Sequence, residues 1–155
     1  DRRFVAIFGA IKGSLLHEQG RHPDAAAAYN ASLEELEVLG DRRFHALVLG
    51  RLGALEADMG KVSQAKATLD AAMEAIEEVG DPTGRAAVEV HQGHLDVARA
   101  RGQSNVKPFM DRAKQRIHAA SKAPTGGAAT QPPAAISSDV RLALRLLRRA
   151  MDHLK

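Results

Sequence analysis

The histidines of this chain are the residues whose spacing first suggests chemistry. His91 and His94 lie three positions apart, so on a helix they share one face and could bind one metal ion. His17 and His22 flank a predicted turn. Neither pair has a third ligand at a recognisable spacing, and the chain has no Cys to supply a thiolate. The sequence therefore predicts no metal site.

Acidic residues and glycines are the other groups that could do chemistry. The acidic clusters lie near predicted helix ends: Glu34, Glu35, Glu37, Glu74, Glu77 and Glu78. They are typical of a solvated helix face rather than of paired catalytic carboxylates. Gly9, Gly13 and Gly20 follow helical spacing with no preceding strand, so they do not indicate a phosphate-binding loop. No nucleophile has a recognisable base motif beside it. The sequence predicts a protein that is not an enzyme and needs no cofactor.

A 40-residue repeat organises the elements that carry these residues. Asp1-Arg2-Arg3-Phe4 recurs as Asp41-Arg42-Arg43-Phe44, and Gly80-Asp81 marks the next boundary. Other matching residues recur at the same period: Gly13, Gly53 and Gly93; Gly20 and Gly60; Tyr29, Leu69 and Phe109. A period shared by motifs, glycines and large residues predicts equivalent units at about 1–40, 41–80 and 81–120.

Each unit has the pattern of two helices joined by a turn, because apolar residues recur at three- and four-residue steps on both sides of a glycine. The composition agrees, since the apolar 45% contains one Tyr, four Phe and no Trp and is otherwise dominated by aliphatic residues. We predict helices at about 3–19, 23–39, 42–59, 62–79, 83–101, 104–120 and 138–154. The predicted fold class is all-α.

The units resemble tetratricopeptide repeats, in the longer-period form common in bacterial signalling and regulatory proteins. That family has a small residue where the first helix crosses the second, as at Gly13, Gly53 and Gly93, and a turn glycine, as at Gly20 and Gly60. Its second helix has a small, a large and a small residue, as in Ala25, Tyr29 and Ser32 and in Ala65, Leu69 and Ala72. The resemblance covers residues 1 to about 120. It implies an α-α superhelix of three hairpins.

The third unit departs from this pattern. Ala100 replaces the turn glycine, and Asn105 and Arg112 replace the two small residues of the second helix. Phe109 keeps the register of Tyr29 and Leu69. Terminal repeats are often atypical because one face has no neighbouring unit. We therefore expect the third hairpin to be shifted.

The chain changes character after the third unit. Residues 121–137 are rich in Pro, Gly and Ala without periodicity, which predicts a flexible linker. Residues 138–155 form a basic amphipathic helix that either caps the array or docks on it. Its predicted docking residues are Val140, Leu144, Leu147, Met151 and Leu154, with Arg141, Arg145 and Arg148 beside them. Docking could occur within one chain or in a swapped dimer. Binding to nucleic acid lacks the helix-turn-helix context that such a role requires.

The family resemblance also implies a concave groove formed by the first helix of each hairpin. The implied lining residues are Ile7, Ala10, Ser14 and His17; Leu47, Gly50, Ala54 and Ala57; and Val90, His94 and Val97. Mostly small and apolar residues of this kind suit the apolar face of a helical segment. The predicted function is a protein-interaction scaffold, an adaptor or sensor module of a larger bacterial regulatory protein. The alternatives are self-association through the last helix and a basic tail that contacts nucleic acid.

Charge and hydropathy complete the sequence-based expectations. Residues 1–100 carry 11 Lys or Arg and 16 Asp or Glu, whereas residues 101–155 carry 11 and 3, so a basic end follows an acidic body. No apolar run approaches the roughly 20 residues of a membrane span, and no signal-peptide pattern is present. Together with the lack of Cys, this favours a cytoplasmic location. The start at Asp1, in mid-pattern, predicts a fragment of a longer protein.

Overall fold

The computed structural model describes residues 1–122 and 138–154 of the chain. Within these residues there are seven helices and no strand. The helices are α1 (Arg2–Glu18), α2 (His22–Val38), α3 (Arg42–Asp58), α4 (Val62–Val79), α5 (Pro82–Ala100), α6 (Lys107–Ser121) and α7 (Ser138–Asp152). Successive helices pack against each other in a superhelical arrangement, which confirms the all-α fold class. From residue 123 onward, the predicted linker lies outside the described residues.

The third hairpin is shifted along the sequence. Gly20 and Gly60 end the first helices of units one and two with φ angles of 75° and 79°, and the matching residue of unit three is Gly102, with φ 76°. Positive φ favours glycine, so the turn forms two residues later than the 40-residue period places it. The helix that follows begins at Lys107 instead of the predicted residue 104.

In the first two hairpins, a helical glycine lets the paired helices approach closely. A Cβ added at Gly13 would lie 2.8 Å from the ring of Tyr29, and one added at Gly53 would lie 2.6 Å from Cγ of Leu69. Both large residues are buried. Burial raises the pKa of Tyr29 to about 12, and its hydroxyl donates a hydrogen bond to Ser14 Oγ at 3.2 Å. These contacts fix the register of each hairpin.

At the third helical glycine, Gly93, the neighbouring side chain comes from a different helix. A Cβ added at Gly93 would lie 2.5 Å from Cδ2 of Leu147, which belongs to α7 and not to α6. Phe109 is instead partly exposed, with the guanidinium carbon of Arg112 4.7 Å from its ring centroid. The prediction that Phe109 keeps the register of Tyr29 is therefore wrong. We call the space beside each of these helical glycines the notch. The late start of α6 keeps Phe109 out of the notch at Gly93, and Leu147 of α7 fills it.

A helical glycine in close contact with its paired helix and one without such a contact should respond in opposite ways to an added methyl group. Gly53→Ala places a Cβ 2.6 Å from Leu69 Cγ and 3.3 Å from its backbone nitrogen, so we expect a loss of about 2 kcal/mol in the free energy of unfolding. Gly9→Ala is the matched control, because its nearest neighbour would be 3.9 Å away. There the better helix propensity of Ala should stabilise the chain by about 0.5 kcal/mol. Urea unfolding of both variants measures the difference, and equal effects would contradict the close approach at Gly53.

Candidate functional site

The last helix packs mainly against α5 and reaches α3 and α1 through side-chain contacts. We call the face of α1, α3 and α5 beside it the groove. At its N-terminal end, Asp139 Oδ1 accepts a hydrogen bond from Arg51 of α3 at 3.1 Å, and Arg43 lies 3.8 Å from the other carboxylate oxygen. At its other end, His153 lines a cavity together with Asp58, the last residue of α3. The last helix therefore runs along α3 in the same direction.

The apolar side of α7 forms part of the main core. The predicted docking residues Val140, Leu144, Leu147 and Met151 are buried, and Leu154 packs against the same cluster. That cluster includes three predicted groove residues, Leu47, Val90 and Val97. Among the sequence-based alternatives, this arrangement corresponds to docking in the groove of the same chain.

The polar side of α7 makes one ion pair with the first hairpin. Arg145 lies 2.7 Å from Glu18 of α1, whereas Arg141 and Arg148 are exposed. Together with Asp139 on Arg51, this gives α7 an acidic contact at its N-terminal end and a basic contact near its middle. Electrostatic contacts of this kind fix register and orientation more than they raise affinity. The groove thus contacts both the apolar stripe and charged side chains of α7.

An open cleft of about 470 Å³ lies between α1, α3 and α7. Its apolar lining includes Ile7, Ile11, Leu15, Leu47 and Leu142. Charged side chains also line it: Glu18, Arg43, Arg51, Asp139 and Arg145. A cleft of this size with an apolar lining and a few charged groups has the properties of a binding site for a protein side chain or small ligand.

Most of the predicted groove residues are core residues rather than an open surface. Ala54, Ala57, Val90, His94 and Val97 are almost completely buried between helices. Ile7, Ala10, Ser14 and Leu47 border the cleft, His17 borders a second cavity and Gly50 packs against α5. Of these, all but Ile7 are also buried. The cleft residues that sequence reasoning did not assign to the groove include Ile11, Leu15 and Leu142. Ile11 and Leu15 belong to the apolar stripe of α1, and Leu142 belongs to that of α7; both stripes looked like ordinary core stripes.

A partly buried carboxylate joins the three groove helices. Asp58 of α3 accepts a hydrogen bond from Nε2 of His17 of α1 at 2.6 Å and another from Nδ1 of His94 of α5 at 2.9 Å. Each histidine uses a different carboxylate oxygen, so Asp58 braces all three helices. His91 lies beside this network, with its ring centroid 6.2 Å from that of His94. The sequence placed His17 and His94 in the groove but gave no reason to single out Asp58.

Burial controls the protonation of this network. Burial lowers the pKa of His17 even though Asp58 accepts its hydrogen bond. Burial also lowers the pKa of His91 well below its usual value, and nearby His94, Arg51 and His17 lower it further, against Asp58. For Asp58, burial alone would raise the pKa, but His94 and His17 outweigh it and lower the pKa strongly. The network therefore holds the ionised carboxylate of Asp58 next to neutral imidazoles at His17 and His91.

The histidine network does not extend to a metal site. Across residues 1–122 and 138–154, no group of three or more His, Asp or Glu side chains has the geometry to hold a metal ion. Among the same residues, His17 Nδ1, His91 Nδ1 and His94 Nε2 are buried without a hydrogen-bond partner. The arrangement is suited to bracing helices and to responding to pH.

The lowered pKa values predict that the chain loses stability as the pH falls. The unfolded chain takes up a proton on His91 near pH 6.5, whereas the folded chain does not, so stability is complete above pH 6.5 and decreases below it. For His91 alone the slope approaches about 1.4 kcal/mol per pH unit. Urea unfolding at pH 7.5, 6.5 and 5.5 measures it, and His91→Leu should flatten the curve. The same slope in both proteins would contradict a neutral buried His91.

No family model, curated protein or solved structure matches this chain. None of the helices in the described residues combines the length and apolar character needed to cross a lipid bilayer. A function for the chain must therefore be argued from the groove and from the helix that it holds.

Proposed function

We propose that this chain is a non-catalytic protein-interaction module that binds an amphipathic helix in its groove. The observation that carries the proposal is α7, whose apolar side is buried against the groove while its arginines face outward. Insertion of an amphipathic helix into an apolar groove is a common mode of peptide recognition. In this proposal α7 is the resident ligand, and a partner helix of similar pattern takes its place.

The contacts of α7 specify the chemistry of such a partner. Its central anchor is a Leu that enters the notch at Gly93, as Leu147 does. An acid in its first turn meets Arg51, and a basic residue two turns later meets Glu18. A partner that presents these groups on one helical face would reproduce the contacts of α7, whereas a helix of opposite charge order would place like charges together.

The tether makes α7 a strong competitor for the groove. Because it belongs to the same chain, its effective concentration can reach the millimolar range. A free partner helix must therefore have higher intrinsic affinity, or act after α7 has been released. This arrangement suits an adaptor that stays closed until its partner is present.

We also propose the wider assignment that the sequence suggests. The hairpins then belong to the tetratricopeptide-like class, and the module serves as an adaptor or sensor in the cytoplasm of a bacterium, within a larger regulatory protein. Two regular hairpins with a glycine at each helix crossing support this assignment.

Exchange of the last helix tests the proposal. A protease site inserted within residues 123–137 allows the complete chain to fold before it is cut. A fluorescent peptide of residues 138–155 is then added, and its anisotropy reports binding to the cut protein. We expect saturable uptake, with the unlabelled peptide as a competitor. The matched control peptide carries Leu147→Asp, and we expect it to bind at least about 100-fold more weakly because a charge would enter the buried notch.

Two outcomes would contradict the proposed function. The first is that the labelled peptide does not enter the cut protein, which would make α7 a permanent part of the core. The second is that the remaining body loses its helical circular dichroism once α7 leaves, which would show that the groove does not persist without its occupant.

A further inference from the structure

The outer side of α1 exposes a row of large apolar side chains. Its members are Phe4, Val5, Phe8, Ile11 and Leu15, and the exposed fraction of each lies between 45% and 67%. Contiguous apolar surfaces of this kind mark interaction sites in proteins that are otherwise well packed. We call this row the outer face of α1. Only Ile11 and Leu15 also border the cleft described above.

The same face is buried in the other two hairpins. Phe8 is 64% exposed, but its repeat equivalents, Val48 in α3 and Val88 in α5, are 1% and 0% exposed. The series Leu15, Leu55 and Leu95 behaves in the same way, with exposed fractions of 52%, 0% and 7%. Because the equivalent residues of α3 and α5 are buried, we expect this face of α1 to pack against another element.

The preceding hairpin covers this face at both internal junctions. Val48 and Leu55 share a cluster with Tyr29 and Leu36 of α2. In the next unit, a Cβ at Gly84 would lie 2.7 Å from Ile76 of α4. The cover is in each case the second helix of the hairpin before.

A repeated arginine–aspartate contact, which we call the clasp, accompanies the apolar contact. Arg3 donates to Asp41 at 2.7 Å, and its guanidinium carbon lies 5.3 Å from the ring centroid of Phe44. At the next junction, Arg43 donates to Asp81 at 2.6 Å. The arginine of one unit thus binds the first Asp of the following unit, which explains why the Asp-Arg-Arg-Phe motif recurs at the unit boundary.

We infer that the outer face of α1 is a stacking surface for a further helical hairpin of the same repeat type. That hairpin would lay the apolar side of its second helix on Phe8 and Leu15. It would also supply an arginine to Asp1 and Phe4, which hold the places of Asp41 and Phe44. This surface borders the cleft beside α7 at Ile11 and Leu15, whereas Phe4, Val5 and Phe8 lie outside that cleft.

A second copy of the chain fits this surface less well than a hairpin does. Two copies that paired through α1 would bring two identical apolar faces together. The arginine needed by Asp1 would be missing, because Arg3 is held by Asp41 and Arg2 by Glu35. The clasp requires a unit in tandem order, which two α1 faces in symmetric contact do not provide.

Fusion of an extra unit tests the inference. A copy of residues 1–40 is placed directly before Asp1 of the complete chain, so that Gly40 of the copy precedes Asp1 as Gly40 precedes Asp41. Stacked repeats stabilise each other through their interfaces. We expect the fused chain to unfold in a single transition with Tm raised by about 5 °C or more.

The matched control is Phe8→Glu in the unit that follows the fusion point. In the fused chain we expect it to abolish the gain in Tm, whereas in the original chain it should change Tm by less than about 2 °C because the side chain is exposed. An unchanged Tm on fusion, or a separate transition for the added unit, would overturn the inference. Light scattering that shows a dimer of the original chain, made monomeric by Phe8→Glu, would overturn it in favour of a second copy.

Discussion

Replacing Leu147 with Ala is expected to lower the free energy of unfolding by about 3 kcal/mol, because a fully buried Leu leaves a cavity that its surroundings fill only in part. The cavity would face Gly93, which has no side chain of its own to fill the space. Urea unfolding followed by circular dichroism measures the change. A loss of this size would show that α7 is an integral contributor to the closed state.

Phe109→Ala is the control for this prediction. Phe109 holds the repeat position that should occupy the notch at Gly93, but it is partly exposed beneath Arg112. We expect a loss of only about 1 kcal/mol. The opposite order, with Phe109→Ala the more damaging substitution, would mean that α6 and not α7 fills the space beside Gly93.

Removing the partly buried carboxylate of Asp58 should have an effect of similar size. Asp58→Ala leaves the buried imidazoles of His17 and His94 without their shared acceptor. The loss of two hydrogen bonds to a charged group, with both donors left buried, costs about 3 kcal/mol. We expect a loss near this value at pH 7.5, measured by urea unfolding, and weaker protection of α1, α3 and α5 in hydrogen exchange.

A surface carboxylate provides the comparison. Asp70 pairs with Lys66 four residues earlier, and both side chains are more than half exposed. Asp70→Ala should change the free energy of unfolding by less than about 0.5 kcal/mol. Equal effects at the two positions would show that the buried network does not brace the helices.

The regular hairpins could be predicted because their determinants are local and repeated. Gly13 and Gly53 lie at one register, and the large residue that enters each notch follows 16 positions later. Turn glycines and apolar spacing within the same 40 residues then set the helix ends. In these two hairpins the boundaries differ from the prediction by at most one residue.

The docking of α7 could not be predicted because its determinants are distant in sequence. Leu147 lies 54 positions beyond Gly93, and residues 121–137 carry no periodicity that could set the register between them. Phe109 was in register by spacing, and only the late start of α6 excludes it from the notch. Asp58 was equally hidden, because its partners come from two other helices and become neighbours only after folding.

The apolar stripe of α1 shows what is learned when equivalent residues of the repeat units are compared for their burial in the structure. Phe4 and Phe8 match Phe44 and Val48 in sequence, but their exposure differs because only the second pair has a preceding hairpin to cover it. Sequence comparison between units supplies the expectation, and burial identifies the position where that expectation is not met. We therefore propose the groove and the outer face of α1 as two surfaces for helical partners, which meet at Ile11 and Leu15.

Cross-linking between α1 and α7 tests the central claim most directly, since the chain has no native Cys. Glu18→Cys and Arg145→Cys replace a surface ion pair, and a short bismaleimide should join them. Glu18→Cys with Asp111→Cys on α6 is the control pair and should not react within one chain. We predict a cross-linked product with the mass of a single chain. A product with the mass of two chains, or no product, would contradict docking of α7 in the groove of its own chain.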